Sequence, residues 1–239
     1  MHIPDGFLSP QTCAAAWVAS APVWYVAWKH IKGKFEATTA AHLGIAGAFV
    51  FLLQMINVPI PGGTSGHAVG AALVTIVLGP AAGILAVSMA LLLQAVVFGD
   101  GGIWAYGANV LTMAIAQSVV AWVVWRAIAG DRTSGLRTMI GAFAAAYAAA
   151  LGGALTTGTL LGIQPMLFRD AGGSPLYFPL GLGVSIPAML GSHLLIGFVE
   201  GAITVAAVRV LQQLPDFQLA ERIPGVGRRR LMIAVAAMV

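Results

Sequence analysis

A histidine at position two, behind a terminal amine, makes a compact chelator. In the opening MHIPDGFLS, the Met1 amine, the His2 backbone amide nitrogen and His2 Nδ1 can close two fused, low-strain rings on one metal ion. Binding through the amide nitrogen requires its proton to leave. Ni(II) and Cu(II) drive that loss, because a square-planar nitrogen field suits them. Met1 is expected to survive processing, since the aminopeptidase that trims it prefers small second residues. Three nitrogens need a fourth, and His67 is the candidate. It follows a Pro/Gly-rich stretch, PIPGGTSG, and opens a short apolar segment. Either histidine alone is weak evidence. A His at position two is chance in most chains, and His67 beside Ser65 and Gly66 also fits a hydrogen-bonded loop. The case rests on the pair.

The elements that must position these residues are membrane helices. Of 239 residues, 59% are hydrophobic and 8% are charged, against roughly 25% charged in soluble domains. That excludes a soluble enzyme, a disordered chain and a disulfide scaffold. With 30 glycines, helices can pack closely in lipid. The net charge of +4 reads as loop charge that sets orientation, not as nucleic-acid affinity. The lone Cys13 has no partner within the chain for a disulfide. The first residues lack the basic region of a cleavable signal peptide.

Apolar runs predict spans over Pro10–Trp28, Thr39–Asn57, His67–Leu78, Pro80–Phe98, Trp104–Trp125, Thr138–Ile163 and Pro179–Val208. The positive-inside rule decides whether 67–98 is one pass or two. With two passes and the N-terminus outside, every Lys and Arg except Arg169 falls on the cytoplasmic side. With one pass, that bias collapses. The expected fold is therefore all-α and polytopic, with seven transmembrane helices. The third, at 12 residues, is about 18 Å long and too short for a core of about 30 Å. The preceding PIPGGTSGH is thus expected to be re-entrant, tolerated at that depth only if buried or lining a cavity. Residues 1–211 are expected to form one membrane domain. Residues 212–239 form a basic cytoplasmic tail that either dips into the surface or begins an eighth helix.

Ionisable groups within the membrane are costly, so each is a functional candidate: His2, Asp5, His42, His67, His193 and Glu200. His30, among lysines, reads as solvated flank. His42 is expected to snorkel toward cytoplasmic headgroups. His193 and Glu200 are seven residues apart, on one helix face. They suit an ion or proton path, although hydrogen bonds that pack the helix against a neighbour are preferred. Ala40, Gly44 and Ala48 make a small-residue stripe suited to docking another subunit or, at least as well, to packing within the chain.

The N-terminal MHIPDGFLS, the segment NVPIPGGTSGHAVG (57–70) and QAVVFGDGGIWAYGANVLTMA (94–114) together resemble the nickel/cobalt substrate-binding subunits of energy-coupling factor transporters. The resemblance spans the chain to about Val208, and the MHIPDG and PGGTSGH forms look most like the nickel branch. It implies a six-helix core plus an extra N-terminal helix whose amino end enters the core. It implies metal ligands at Met1, His2 and His67, with Ni(II), or less readily Co(II), as the transported substrate and no organic cofactor. It also implies a bacterial inner-membrane location and partners: a membrane scaffold subunit, two cytoplasmic ATPases and a small accessory membrane subunit. No GxxxxGK[ST] phosphate loop is present, so the chain is expected to be no ATPase and no enzyme.

A rival reading comes from rhomboid-like intramembrane serine proteases. Gly63-Thr64-Ser65-Gly66 has their GxSG form, and His193 with Gly197 and Gly201 their H-xxx-G-xxx-G form. A Ser65–His193 dyad needs only hydrogen-bond reach between the two. The HxxN and WR signatures of that family are absent.

Overall fold

In the computed structural model, which describes residues 1–33, 37–60, 64–130, 132 and 134–213, Ser9 sets the first helix. Its hydroxyl accepts the Thr12 N–H at 3.0 Å and Pro10 occupies the first turn, where a missing N–H costs nothing. Helix α1 (Pro10–Lys32) ends on Lys29, His30 and Lys32, cations suited to a helix C-terminus. Helix α2 (Ala37–Gln54) follows. The Pro/Gly-rich stretch then forms a short antiparallel hairpin, β1 (Val58–Ile60) against β2 (Thr64–Gly66). The expectation that this stretch is not helical holds, and the hairpin is an addition to an otherwise all-helical chain.

The third helix, α3 (Ala71–Leu78), begins four residues later than the apolar pattern suggests. Gly70 is left-handed, with φ of 80°, so the chain turns sharply before the helix starts. A Cβ there would also press on Phe49 at 3.1 Å and Leu53 at 3.2 Å. His67 is therefore a loop residue. One residue, Gly79, separates α3 from α4 (Pro80–Leu93). That helix widens into a π-helical turn, Gln94–Phe98, stopped by a left-handed Gly99. The next rod runs through α5 (Tyr106–Asn109), a second π-helical stretch (Val110–Ala116) and α6 (Gln117–Ile128). Then come α7 (Leu136–Gly162), the single turn α8 (Gln164–Leu167) and α9 (Leu182–Leu211).

Among the described residues, four stretches are long and apolar enough to cross a membrane: Pro80–Phe98, Tyr106–Ile128, Leu136–Leu167 and Leu182–Leu211. Helices α7 and α9 lie closely side by side. Ala142, Ala145, Ala146 and Ala149 are buried, and on α9 a Cβ at Gly197 would press on Tyr147, and one at Gly201 on Phe143. In lipid, such small residues promote contact because backbones approach and dispersion gains rise. Leu194, Leu195 and Val199 on α9 are exposed, and Phe198 at the flank sets its ring edge-on to Phe143 of α7.

The stripe of Ala40, Gly44 and Ala48 faces outward, and a Cβ at Gly44 would meet nothing within 4 Å. Among the described residues, this stripe therefore packs against no other part of the chain. His42 is exposed beside it. The tail at 214–239, expected either to dip into the surface or to begin an eighth helix, lies outside the described residues.

Candidate metal site

Residues 1–9 precede α1 without regular structure, buried at 1–3 and 8–9 and exposed at 4–6. Met1 and Ile3 are fully buried and His2 nearly so. A buried extended backbone needs partners for its polar groups, and side chains from distant helices supply them. Asn109 Oδ1 accepts the Ile3 N–H at 2.8 Å, and its Nδ2 donates to the Ile3 carbonyl at 3.0 Å. The Gly102 N–H donates to the same carbonyl at 2.9 Å. The Asp5 carboxylate accepts the N–H groups of Ile103 and Ala105, both at 3.0 Å, at the start of the 106–128 rod. The Phe178 N–H donates to the Phe7 carbonyl at 3.1 Å, and the Ser9 N–H to Gln164 Oε1 at 3.0 Å.

This docking carries His2 to His67. Nδ1 of His2 lies 3.1 Å from Nε2 of His67, and the rings stack with centroids 4.6 Å apart. The opposite ring nitrogens fix the tautomers. His2 Nε2–H donates to Gln94 Oε1 at 3.1 Å. His67 Nδ1–H donates to the Ala68 carbonyl at 3.3 Å. The two facing nitrogens are then both lone-pair bearers, an arrangement that a shared cation or proton relieves. A metal with nitrogen bonds of about 2.0 Å spaces adjacent planar nitrogens about 2.8 Å apart, close to what is seen.

The carboxylate of Asp100 lies 3.3 Å from His2 Nδ1 and is about a quarter exposed. It supplies the one full negative charge beside the rings. Burial lowers the Met1 amine from 8.0 to about 5, against the opposing pull of Asp100. Burial and the nearby amine also lower His2. Both shifts favour the uncharged forms that a metal requires. Among the described residues, no group of three or more His, Cys, Asp or Glu side chains gathers to hold a metal. A site here must recruit main-chain nitrogen.

Gln94, Asp100 and Asn109 also touch the N-terminal segment, although their residue types and spacing give no sign of it in the sequence. All three lie in the 94–114 segment. Gln and Asn inside apolar runs carry no distinctive spacing. The π-helical turns beside them, which often accompany functional sites, have no sequence signature.

Among the described residues, none of the remaining candidates hydrogen-bonds to the His2 or His67 ring. Glu200 is buried, accepting the N–H groups of Val69 at 3.2 Å and Gly70 at 2.9 Å. His193 is buried too; its Nδ1–H donates to the Met189 carbonyl at 2.7 Å. Its Nε2 has no hydrogen-bond partner among the described residues. Ser65 pairs through its backbone with Pro59 in the hairpin, and its side chain lies outside the described residues. Asp5, anticipated as an ionisable group in the membrane, is an exposed cap.

Comparison with known proteins gives a consistent picture. The family described as "Cobalt uptake substrate-specific transmembrane region" matches residues 2–216. A fused nickel transport protein of Rhodobacter capsulatus is 41% identical, over all of this chain and 70% of its own length. A probable fused nickel transport protein of Lactiplantibacillus plantarum is 44% identical, over 92% of this chain and 66% of its own length. The chain thus spans about two thirds of these relatives. The crystal structure of a transition metal transporter superposes with a TM-score of 0.86 at 44% identity, covering 89% of this chain and 93% of that one.

Proposed function

The chain belongs to the family of substrate-specific transmembrane regions for cobalt uptake, and from that premise we propose that it captures Ni(II) for an ATP-driven energy-coupling factor importer. The observation that carries this reading is the 3.1 Å approach of His2 Nδ1 and His67 Nε2. The metal takes four nitrogens: the Met1 amine, the His2 amide, His2 Nδ1 and His67 Nε2. As it binds, the amide N–H bond breaks, a metal–nitrogen bond forms and the proton leaves to water. The amide contributes one negative charge and Asp100 another, so the divalent ion is neutralised within an apolar interior. Low-spin Ni(II) accepts four planar nitrogens readily; Co(II) does so less readily and is the second choice.

In this reading the chain crosses the bacterial inner membrane seven times, with the N-terminus outside and the C-terminus cytoplasmic. Segment 58–70 enters from the outer side. The chain does no ATP hydrolysis of its own. A membrane scaffold subunit, two cytoplasmic ATPases and a small accessory membrane subunit complete the importer. The protease alternative gains no support: the family is one of metal transport.

The test is an absorption titration of the purified protein with Ni(II), with and without one extra residue before Met1. A planar-nickel band that saturates at one equivalent, and is absent from the extended form, is expected. A band that survives the extension would overturn the site.

A further inference from the structure

We propose that Glu200 is the positioning residue for His67, holding the ligand loop at the depth where the two imidazoles meet. The role rests on the reading of His67 as a metal ligand. Glu200 belongs to α9, and 131 residues separate it in sequence from Val69. Its two carboxylate oxygens divide their work. Oε2 accepts the Val69 N–H at 3.2 Å and Oε1 the Gly70 N–H at 2.9 Å. Those residues lie two and three positions after His67, just before α3.

The chemistry makes this a strong tie. Glu200 is only 1% exposed, and a buried carboxylate is retained where donors compensate it. Here the compensation is one N–H donor to each oxygen, at the start of α3. The loop has few other anchors. The Gln54 side chain reaches the Val69 carbonyl at 3.4 Å, a longer and neutral contact. Left-handed Gly70 has no side chain of its own to cap α3. The helix therefore borrows its cap from α9, and His67 inherits its position from that cap. His67 Nδ1 bonds the carbonyl of Ala68 in the same loop, so ring and loop move together.

Glutamine at position 200 keeps one acceptor but presents an NH2 group to a second N–H, which splits the loop from α9. The experiment is a nickel titration of the full chain in detergent, with competition by a chelator, on wild type, Glu200→Gln and Glu200→Asp. The metal-free thermal midpoint is measured alongside. Nickel affinity should fall about 10–100-fold in Glu200→Gln, as for other residues that orient metal ligands, while the band position at saturation stays unchanged. Glu200→Asp keeps the charge but is one methylene short, and should fall between the two.

A lower thermal midpoint with wild-type nickel affinity would mean that Glu200 is only structural, and would overturn the role. If Glu200→Gln does not fold, Glu200→Asp decides: wild-type affinity there overturns the proposal too. A wild-type protein without a nitrogen-ligand band overturns the site and this role with it. A normal wild-type band beside unchanged variants overturns this role alone.

Discussion

Asn109 pairs with the backbone of Ile3 as a neighbouring strand would, accepting its N–H at 2.8 Å and donating to its carbonyl at 3.0 Å. One side chain thus satisfies both polar groups of a fully buried residue. It also fixes the register of the N-terminal segment, because a shift by one residue would point His2 away from His67.

Asn109→Leu should therefore weaken nickel binding without touching a proposed ligand. Each unsatisfied buried group costs roughly 1–3 kcal/mol. A loss of at least about tenfold in affinity follows at about 1.4 kcal/mol per factor of ten. A competition titration measures it. Wild-type affinity would show that the Gly102 N–H, which also bonds the Ile3 carbonyl, holds the segment without Asn109.

Gln94 orients His2 through its Nε2–H. Gln94→Leu releases the ring to present either nitrogen, and affinity should fall about 10–100-fold. The band should survive at saturating nickel. His67→Ala should instead abolish the four-nitrogen band. Absorption spectra of the two variants distinguish an orienting residue from a ligand.

Gly102 faces Asp5 so closely that a Cβ would collide with the carboxylate. Gly102→Ala should lift the N-terminal segment, expose the 1–9 backbone to protease and weaken nickel binding. Adding Asp5→Gly should not recover the loss, because the same Cβ would also meet the Asp5 backbone nitrogen at 2.5 Å and the cap at Ile103 and Ala105 is lost as well. A double-mutant cycle tests this.

The pH dependence has a defined sign. Nickel requires a neutral amine, and an ordinary amine at 8.0 would hold a proton at pH 7 and release it on binding. Burial lowers the Met1 amine to about 5, so at pH 7 it has none to release. Only the amide proton should leave, about one per nickel. Competition from the amine should begin only as pH falls toward 5. Calorimetry in two buffers of different ionisation enthalpy counts the protons, and a count of two at pH 7 would contradict the buried amine.

Much of this was legible in the sequence where the signal was local. The amine, amide and imidazole of residues 1 and 2 are joined covalently, so their chelating geometry follows from the order of two residues. Long apolar runs located α4, α7 and α9 closely. The start of α3 was displaced because apolar residues 67–70 look helical in pattern, while left-handed Gly70 breaks the chain there. The partners of the segment were invisible for a different reason. Asn109, Gln164 and Glu200 act across more than a hundred residues, and no periodicity records which backbone group a buried amide or carboxylate will meet.

The docking of residues 1–9 on Gln94, Asn109, Gln164 and Phe178 has a consequence for assembly. The segment precedes every one of these anchors in the chain, the farthest by 169 positions or more. It must wait, unpaired, until the helices carrying them have inserted and closed around it. On the reading proposed above, the site is complete only once those helices have closed, and a half-built chain has nowhere to hold nickel. Metal that binds only the finished state adds to its stability in proportion to the logarithm of its concentration, so scarce nickel leaves the last step of folding reversible and abundant nickel locks it.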